Sequence, residues 1–282
     1  MNSVRKNFLY NASYNILALI MPLITSPYIS RVMGAELIGI HSYCYSIASY
    51  FGIFILLGLN NYGNRTIAEV KDNRENLSKT FCSIYIVQLI MAFVVIVLYI
   101  IYVIYLSQNK IMAWIQLIYL LSVALDINWF FFGMEKFKLT VTRNTVIKIT
   151  SVGLILTLVK EKDDIYIYGL IMAISPILSQ IFLWFFLKDY VKLKKVSLKD
   201  IIRHIKPNLV LFIPVIAVSL YTTMSKIILG SLSSMEEVGL YESSSRLTQV
   251  PAMAITSLGT VMLPRMTNLI AQGKRKEAMK YI

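Results

Sequence analysis

The sequence is poor in the residues that most catalytic and metal sites use. It has 2 cysteines, 2 histidines and 15 acidic residues among 282 positions, and Cys44 and Cys82 lie too far apart to form a metal-binding motif. A disulfide framework or a zinc site needs more such residues at short, regular intervals. We therefore predict no metal, no cofactor and no catalytic residues. Both cysteines are expected to be unpaired packing residues.

Apolar residues are abundant instead. They make up 57% of the chain, and the mean hydropathy is +0.64, whereas soluble domains contain roughly 45–50% apolar residues. Runs of about 20 apolar residues recur, which is the length that crosses a bilayer core. We predict an all-α polytopic membrane helical bundle of about eight spans, numbered 1 to 8 in order: residues 11–33, 39–61, 81–106, 111–132, 141–159, 165–187, 208–230 and 241–271.

The net charge of +13 has an uneven distribution. If the N-terminus is inside, most basic residues fall on the inner side, including Lys192, Lys194 and Lys195. The positive-inside rule then predicts that both termini are cytoplasmic. This charge would face the anionic inner leaflet, so we expect membrane lipids and no nucleic acid as partners. Trp129, at the inner end of span 4, is expected at headgroup depth.

The basic stretch 188–207 is the clearest boundary in the chain. A shift from apolar to charged composition is typical of a linker. We predict a first six-helix lobe over 1–187, a basic cytoplasmic linker over 188–207, and the first two helices of an incomplete second lobe over 208–282. The first inner connection, 62–80, is expected to contain a short interfacial helix.

A weak internal repeat supports this division. Pro22–Tyr43 aligns with Val218–Ser243, which places Gly34 on Gly230 and Gly39 on Gly239. Span 7 then corresponds to span 1 and span 8 to span 2, related by an axis along the membrane normal. Six spans followed by two predict that the chain is truncated after span 8 within a frame of two six-helix lobes, with a natural eight-helix protein as the alternative.

Charged residues inside predicted spans are the first functional candidates. A bilayer makes buried charge costly, so such residues usually have a function. Lys226 and Arg246 should share roughly one depth in the hairpin of spans 7 and 8, and Arg31 lies at the outer end of span 1. All three are also close enough to the outer headgroups to snorkel. Glu242, four residues before Arg246, offers a plain helical ion pair as the alternative.

Polar residues on spans 1, 2 and 7 form a second set of candidates. Their spacing of about one or two turns suits either close helix packing or the wall of a wet cavity; the residues are Asn11, Asn15, Ser26, Ser42, Ser46, Ser49 and Thr222. Asp126 is the one acidic residue well inside a predicted span. We weigh a structural ion pair with Arg143 or Lys148 against coupling to an ion.

Six stretches of the chain resemble one family of membrane proteins. They are similar to Wzx-type oligosaccharide flippases, the polysaccharide biosynthesis and exporter family of the multidrug/oligosaccharidyl-lipid/polysaccharide exporter superfamily, and they comprise Pro22–Ile47, Gly58–Phe81, Asp126–Lys138, Tyr221–Gly230, Val238–Pro251 and Leu258–Met266. The resemblance implies two six-helix bundles around a cavity that opens alternately to each side of a bacterial inner membrane. The implied cargo is an O-antigen or capsule repeat unit linked to undecaprenyl pyrophosphate. Polysaccharide polymerase machinery is the implied partner.

Such a cargo gives the candidate residues a chemical role. Sugar and pyrophosphate need a polar path, because unsatisfied polar groups in hydrocarbon cost several kcal/mol each. Arg246, Lys226 and Arg31 would bind the pyrophosphate, since guanidinium and ammonium groups both bind phosphate oxygens. The alternative is a multidrug or cation antiporter of the same superfamily, whose cavity would need acids. A membrane polymerase or glycosyltransferase is disfavoured because the outer loops are too short to build a catalytic domain.

Overall fold

The regular structure is helical throughout the residues described by this computed structural model. Those residues are 3–249, 251 and 252, with side chains described at residue 21 and from residue 24 onward. The helices are α1 (Ser3–Leu56), α2 (Leu59–Val70), α3 (Arg74–Tyr105), α4 (Lys110–Ala124), α5 (Asn128–Gly133), α6 (Phe137–Leu158), α7 (Ile165–Leu187), α8 (Leu198–Ile202), α9 (Ile205–Thr222) and α10 (Met224–Leu232). Residues 235–242 and 243–249 are also helical.

The predicted all-α polytopic bundle is confirmed. Six helical segments among the described residues are long and apolar enough to cross a membrane. Span 6 coincides with α7, and α2 lies where the short interfacial helix was predicted. Helix α1 contains span 1 and the part of span 2 up to Leu56, with an interruption at Gly34, whose φ is +77°. Glycine adopts this left-handed backbone conformation without a Cβ penalty. Most of span 8 lies outside the described residues.

Three of the predicted spans are broken helices, and span 2 is divided between α1 and α2. Span 4 is divided into α4 and α5 around Asp126, and span 7 into α9 and α10 at Thr223. A break inside a membrane is tolerated only where other groups satisfy the freed backbone atoms. At the α4–α5 break the side chain of Gln88, on α3, donates through Nε2 to the carbonyls of Val123, Ala124 and Asp126 at 2.9–3.2 Å.

The same glutamine explains why one expectation was wrong. Trp129 was expected as an interfacial ring but is fully buried inside the protein, in a hydrophobic cluster with Phe81 and Phe130. Its Nε1 donates to Oε1 of Gln88 at 3.1 Å, so its polar atom is satisfied inside the protein. A tryptophan with an internal acceptor gains nothing from the water interface that otherwise attracts it.

The basic stretch between α7 and α9 is attached to the first turns of α3. Lys194 pairs with Glu75 at 2.6 Å, and Lys79 pairs with Asp200 at 2.9 Å. Arg74 donates to the carbonyl of Asp189 at 3.1 Å. Residues up to Glu242 form one compact unit and those from Ser243 a second one. The boundaries of the two lobes therefore stay a prediction.

Candidate functional site

Two glycines from distant parts of the chain lie directly against each other. A Cβ built on Gly39 would lie 1.7 Å from the carbonyl oxygen of Met235, and one built on Gly239 would lie 1.8 Å from the carbonyl oxygen of Ala35. Only glycine permits so close an approach of two backbones. We call this meeting of Ala35, Gly39 and Ser42 with Met235, Gly239 and Glu242 the Gly39 contact.

The contacts between these residues are reciprocal. Gly39 meets Met235 as Gly239 meets Ala35, and a Cβ built on either glycine would also lie 3.0 Å from the backbone nitrogen of the other. Reciprocity of this kind is what a two-fold axis between equivalent segments produces. The sequence repeat had aligned Gly39 with Gly239, and these contacts support that alignment.

A charged cluster lies beside the Gly39 contact. Glu242 accepts through Oε2 from Nζ of Lys226 at 2.5 Å and from Oγ of Ser42 at 3.0 Å. The side chain of Lys226 is 19% exposed and that of Glu242 12% exposed. Three segments therefore meet at a single carboxylate oxygen: α1 contributes Ser42, α10 contributes Lys226, and the helix beginning at residue 235 contributes Glu242.

The ion pair with Glu242 allows Lys226 to keep its charge at low exposure. An unpaired buried cation would be strongly destabilising, whereas a paired one with a third hydrogen-bonding group is tolerated. Lys226 therefore lies at low exposure with its charge paired to the carboxylate of Glu242. Sequence reasoning named Lys226 and Ser42 but assigned Glu242 only as a partner of Arg246. The alignment of Ser42 with Glu242 was the available signal.

The other predicted cations are placed differently. Arg31 is exposed, three residues before the break at Gly34. Arg246 is half-buried and belongs to the second compact unit, which begins at Ser243. The structure thus brings Lys226 together with Ser42 but leaves the roles of Arg31 and Arg246 as predictions.

The predicted polar residues also separate into groups. Ser42 and Ser46 are buried, while Ser26 and Ser49 are half-buried. Thr222 is exposed and donates to the carbonyl of Val218, one turn back in α9, at 3.0 Å. The side chains of Asn11 and Asn15 lie outside the described residues.

A second close contact joins the other end of the same two stretches. A Cβ built on Gly58 would lie 2.6 Å from the carbonyl oxygen of Asn208 and 2.9 Å from Cβ of Leu211. Between the two ends, the rings of Phe54 and Phe212 pack edge to face with centroids 5.4 Å apart. We call the meeting of Gly58 and Tyr62 with His204, Asn208 and Leu211 the Gly58 contact.

A histidine pairs with a tyrosine at the edge of the Gly58 contact. The hydroxyl of Tyr62 lies 2.6 Å from Nδ1 of His204. Nε of Arg203 donates to Nε2 of the same ring at 3.3 Å, so Nε2 is the acceptor and Nδ1 the donor in this arrangement. Sequence reasoning had given His204 no role.

Asn208 is the least satisfied polar side chain of this contact. It is completely buried, and neither Nδ2 nor Oδ1 has a hydrogen-bond partner among the described residues. An unpaired buried amide costs about 1–3 kcal/mol. Leu57, next to Gly58, has a φ of +52°, a left-handed conformation that costs a non-glycine residue ~1–2 kcal/mol.

Asp126 lies at the break between α4 and α5 and faces a separate cavity. Its Oδ1 accepts from the backbone N and from Nδ2 of Asn128, both at 2.7 Å. Arg143 donates to Oδ1 of the same asparagine at 2.9 Å, so Asn128 links the acid to the predicted basic partner. The alternative partner, Lys148, is half-buried on the same helix as Arg143.

The cavity beside Asp126 has a volume of about 180 Å³ and a partly polar wall. Its polar lining consists of Ser49, Tyr119, Ser122, Asp126 and Gln180. Oε1 of Gln180 is buried without a hydrogen-bond partner among the described residues. Small-molecule pockets usually measure roughly 300–1,000 Å³, so this cavity suits an ion or a few waters better than an organic ligand.

The sequence is similar to one family of known proteins. Residues 4–270 match the family described as Polysaccharide biosynthesis protein. The chain is 23% identical over 279 residues to a putative O-antigen transporter of Escherichia coli (strain K12), covering 97% of this chain and 67% of that protein. It is 25% identical over 257 residues to a putative O-antigen transporter of Shigella dysenteriae, covering 89% and 64%.

The chain therefore spans about two thirds of the length of the curated relatives that it matches. No solved structure matches it. The family match extends over most of the sequence and includes the Gly39 contact, the Gly58 contact and Asp126. On this basis the chain belongs to the polysaccharide biosynthesis protein family.

Proposed function

We propose that this protein moves a polyprenyl-pyrophosphate-linked oligosaccharide from the inner to the outer leaflet of a bacterial cytoplasmic membrane by alternating access. The observation that carries the proposal is the low-exposure cluster of Lys226, Glu242 and Ser42. A pyrophosphate crossing a bilayer needs cations and hydroxyls in a site shielded from water. The names of the two relatives, both putative O-antigen transporters, support a role in surface polysaccharide assembly.

The orientation follows from the basic residues of the sequence. With both termini cytoplasmic, the Gly39 contact lies toward the outer leaflet and the Gly58 contact toward the cytoplasm. The two contacts are then the outer and inner closures of a path between α1 and α9–α10. Membrane lipids and the polysaccharide polymerase machinery are the proposed partners.

Substitution of Lys226 tests the proposed cargo. In cells whose surface polysaccharide depends on this protein, Lys226→Gln should reduce export about tenfold or more, because the pyrophosphate loses its cation. Lys226→Arg, which keeps the charge, should retain a larger part of the activity. Lys162→Gln, at an exposed lysine in another connection, is the matched control. Normal export by Lys226→Gln at normal protein levels would contradict the proposal.

Arg31 and Arg246 belong to the same series. We propose that they bind pyrophosphate at other stages of transport, and each is tested by substitution with glutamine in the same export assay. The antiporter alternative makes the opposite prediction for the whole series: drug or cation resistance would change while surface polysaccharide stayed normal.

We propose Asp126 as the site that couples transport to an ion. Its support is the cavity of about 180 Å³, whose wall also contains the buried side-chain oxygen of Gln180. Asp126→Asn keeps an acceptor for Asn128 but removes the charge. In proteoliposomes the variant should transport at a rate that no longer responds to an imposed proton or sodium gradient. An unchanged response would assign Asp126 to structure alone.

A further inference from the structure

We propose that Glu242 is a built-in occupant of the anion site, and that an incoming pyrophosphate displaces it from Lys226 and thereby releases the Gly39 contact. The inference rests on the proposed function, since it concerns the same site and the same cargo. It gives Glu242 a role in transport in addition to that of Lys226.

The geometry resembles that of a bound anion. A single carboxylate oxygen of Glu242 accepts from an ammonium group and a hydroxyl, at 2.5 and 3.0 Å. Ammonium and hydroxyl donors are also the ordinary ligands of a phosphate oxygen. Glu242 thus satisfies in advance the donors that a pyrophosphate would need, and it keeps Lys226 from lying unpaired at low exposure.

Displacement is chemically reasonable because a pyrophosphate carries more charge than a carboxylate. A pyrophosphate esterified at both ends, as in the proposed cargo, carries a charge of about −2 and four terminal acceptor oxygens, whereas a carboxylate carries a single charge and two oxygens. The cargo therefore outcompetes a single carboxylate for Lys226.

The position of Glu242 links this exchange to the backbone contact. Glu242 lies three residues after Gly239, and Ser42 lies three residues after Gly39, so the bond between them spans the same pair of segments. Loss of that bond removes a side-chain link beside the place where the two glycines touch. Binding of the anion and opening of the outer contact are thus coupled, as two processes that share one residue must be.

The test uses the purified protein in nanodiscs with inorganic pyrophosphate as the probe. Cys44 and Cys82 are first replaced by serine, and Val238→Cys, at a fully buried position beside Gly239, reports opening through a water-soluble maleimide. In the protein with Glu242 intact, pyrophosphate should increase labelling of this cysteine. Glu242→Gln should bind pyrophosphate about tenfold more tightly, a usual size for coupled sites, and should label without the probe.

The controls separate the possible failures. Glu236→Gln, at an exposed acid of the same connection, and Glu242→Asp, which keeps the carboxylate, should both behave as the unsubstituted protein. If Lys226→Gln abolishes binding but Glu242→Gln binds with unchanged affinity, the displacement proposal is wrong and the proposed cargo stands. If pyrophosphate binding is absent, or is the same with and without Lys226, the proposed cargo itself is wrong. If Glu242→Gln does not fold, Ser42→Ala takes its place. Labelling of Val238→Cys should then increase without the probe, and the affinity for pyrophosphate should not rise.

Discussion

The Gly39 contact and the Gly58 contact join the same two stretches of chain but differ in how well their polar groups are satisfied. At the Gly39 contact the carboxylate of Glu242 pairs with both Lys226 and Ser42, and the nearby helix break falls on a glycine. At the Gly58 contact the amide of Asn208 has no partner within the described part of the chain, and the break falls on Leu57 with a φ of +52°. The polar groups at the closed Gly39 contact are paired, whereas the closed Gly58 contact keeps an energetic cost at Asn208 and Leu57.

This difference indicates which end opens more easily. An unpaired amide and a left-handed leucine together raise the free energy of the closed Gly58 contact by about 2–5 kcal/mol relative to a fully satisfied one. Opening to water would pair the amide and relax the backbone. We therefore expect the Gly58 contact to open spontaneously, and the Gly39 contact to need a ligand that competes for its ion pair.

The largest effect should follow from Gly39→Ala. The added Cβ would lie 1.7 Å from a backbone oxygen that no side-chain rotation can move away. We expect the closed Gly39 contact to lose about 3 kcal/mol or more, the upper end for overpacked sites. Maleimide labelling of Val238→Cys should become constitutive while a cysteine at Phe212, beside Gly58, stays protected. Protection of Val238→Cys in this variant would show that the Gly39 contact accommodates the added Cβ without opening.

Gly58→Ala is the matched substitution at the other end. Its Cβ would lie 2.6 Å from the carbonyl oxygen of Asn208, a less severe overlap that should cost about 1–3 kcal/mol. We expect labelling at Phe212→Cys to increase and that at Val238→Cys to stay low. An equal increase at both positions would mean that the two closures move as one rigid unit.

Asn208→Leu should stabilise the Gly58 contact. Replacing an unpaired buried amide by an apolar side chain of similar size removes a cost of about 1–3 kcal/mol. Imperfect packing of the new side chain offsets part of this gain in stability. The variant should label more slowly at Phe212→Cys and should transport more slowly because its inner closure opens less often. Faster labelling would show that Asn208 has hydrogen-bond partners in the membrane.

Tyr62→Phe should have the smallest effect at this end. It removes the hydroxyl that lies 2.6 Å from Nδ1 of His204, and one hydrogen bond of this kind contributes about 0.5–1.5 kcal/mol. Labelling at Phe212→Cys should increase severalfold. Glu135→Gln is the control: Lys71 donates to Glu135 at an exposed site away from both contacts, which lowers the pKa of that carboxyl. Glu135→Gln should leave the labelling of Val238→Cys and of Phe212→Cys unchanged.

Much of the architecture follows from the sequence because hydrocarbon is a restrictive solvent. Backbone groups must pair within helices there, so apolar runs predicted α3, α6 and α7 with small errors at their ends. The repeat aligned Gly39 with Gly239, and the structure brings these two glycines together. Helix lengths follow from local composition, whereas the alignment depends on similarity between two parts of the chain.

The sequence could not indicate which polar residues would meet. Trp129 was wrongly expected at the interface because its acceptor, Gln88, is distant in sequence and lies on another helix. Glu242 was read as a neighbour of Arg246, while its bonds to Ser42 and Lys226 depend on how separate helices pack. Asn208 gives no sequence signal at all, since an unpaired amide is defined by what surrounds it.

Gln88 has a consequence for how this chain tolerates variation. Its nitrogen donates to carbonyls at the α4–α5 break, while its oxygen accepts from Trp129. Glutamate has nearly the same shape but would direct negative charge at those carbonyl dipoles, and leucine would leave them and the indole unpaired. The discontinuity in the fourth span, and with it the placement of Asp126, therefore depends on the identity of one terminal atom of a side chain on a neighbouring helix.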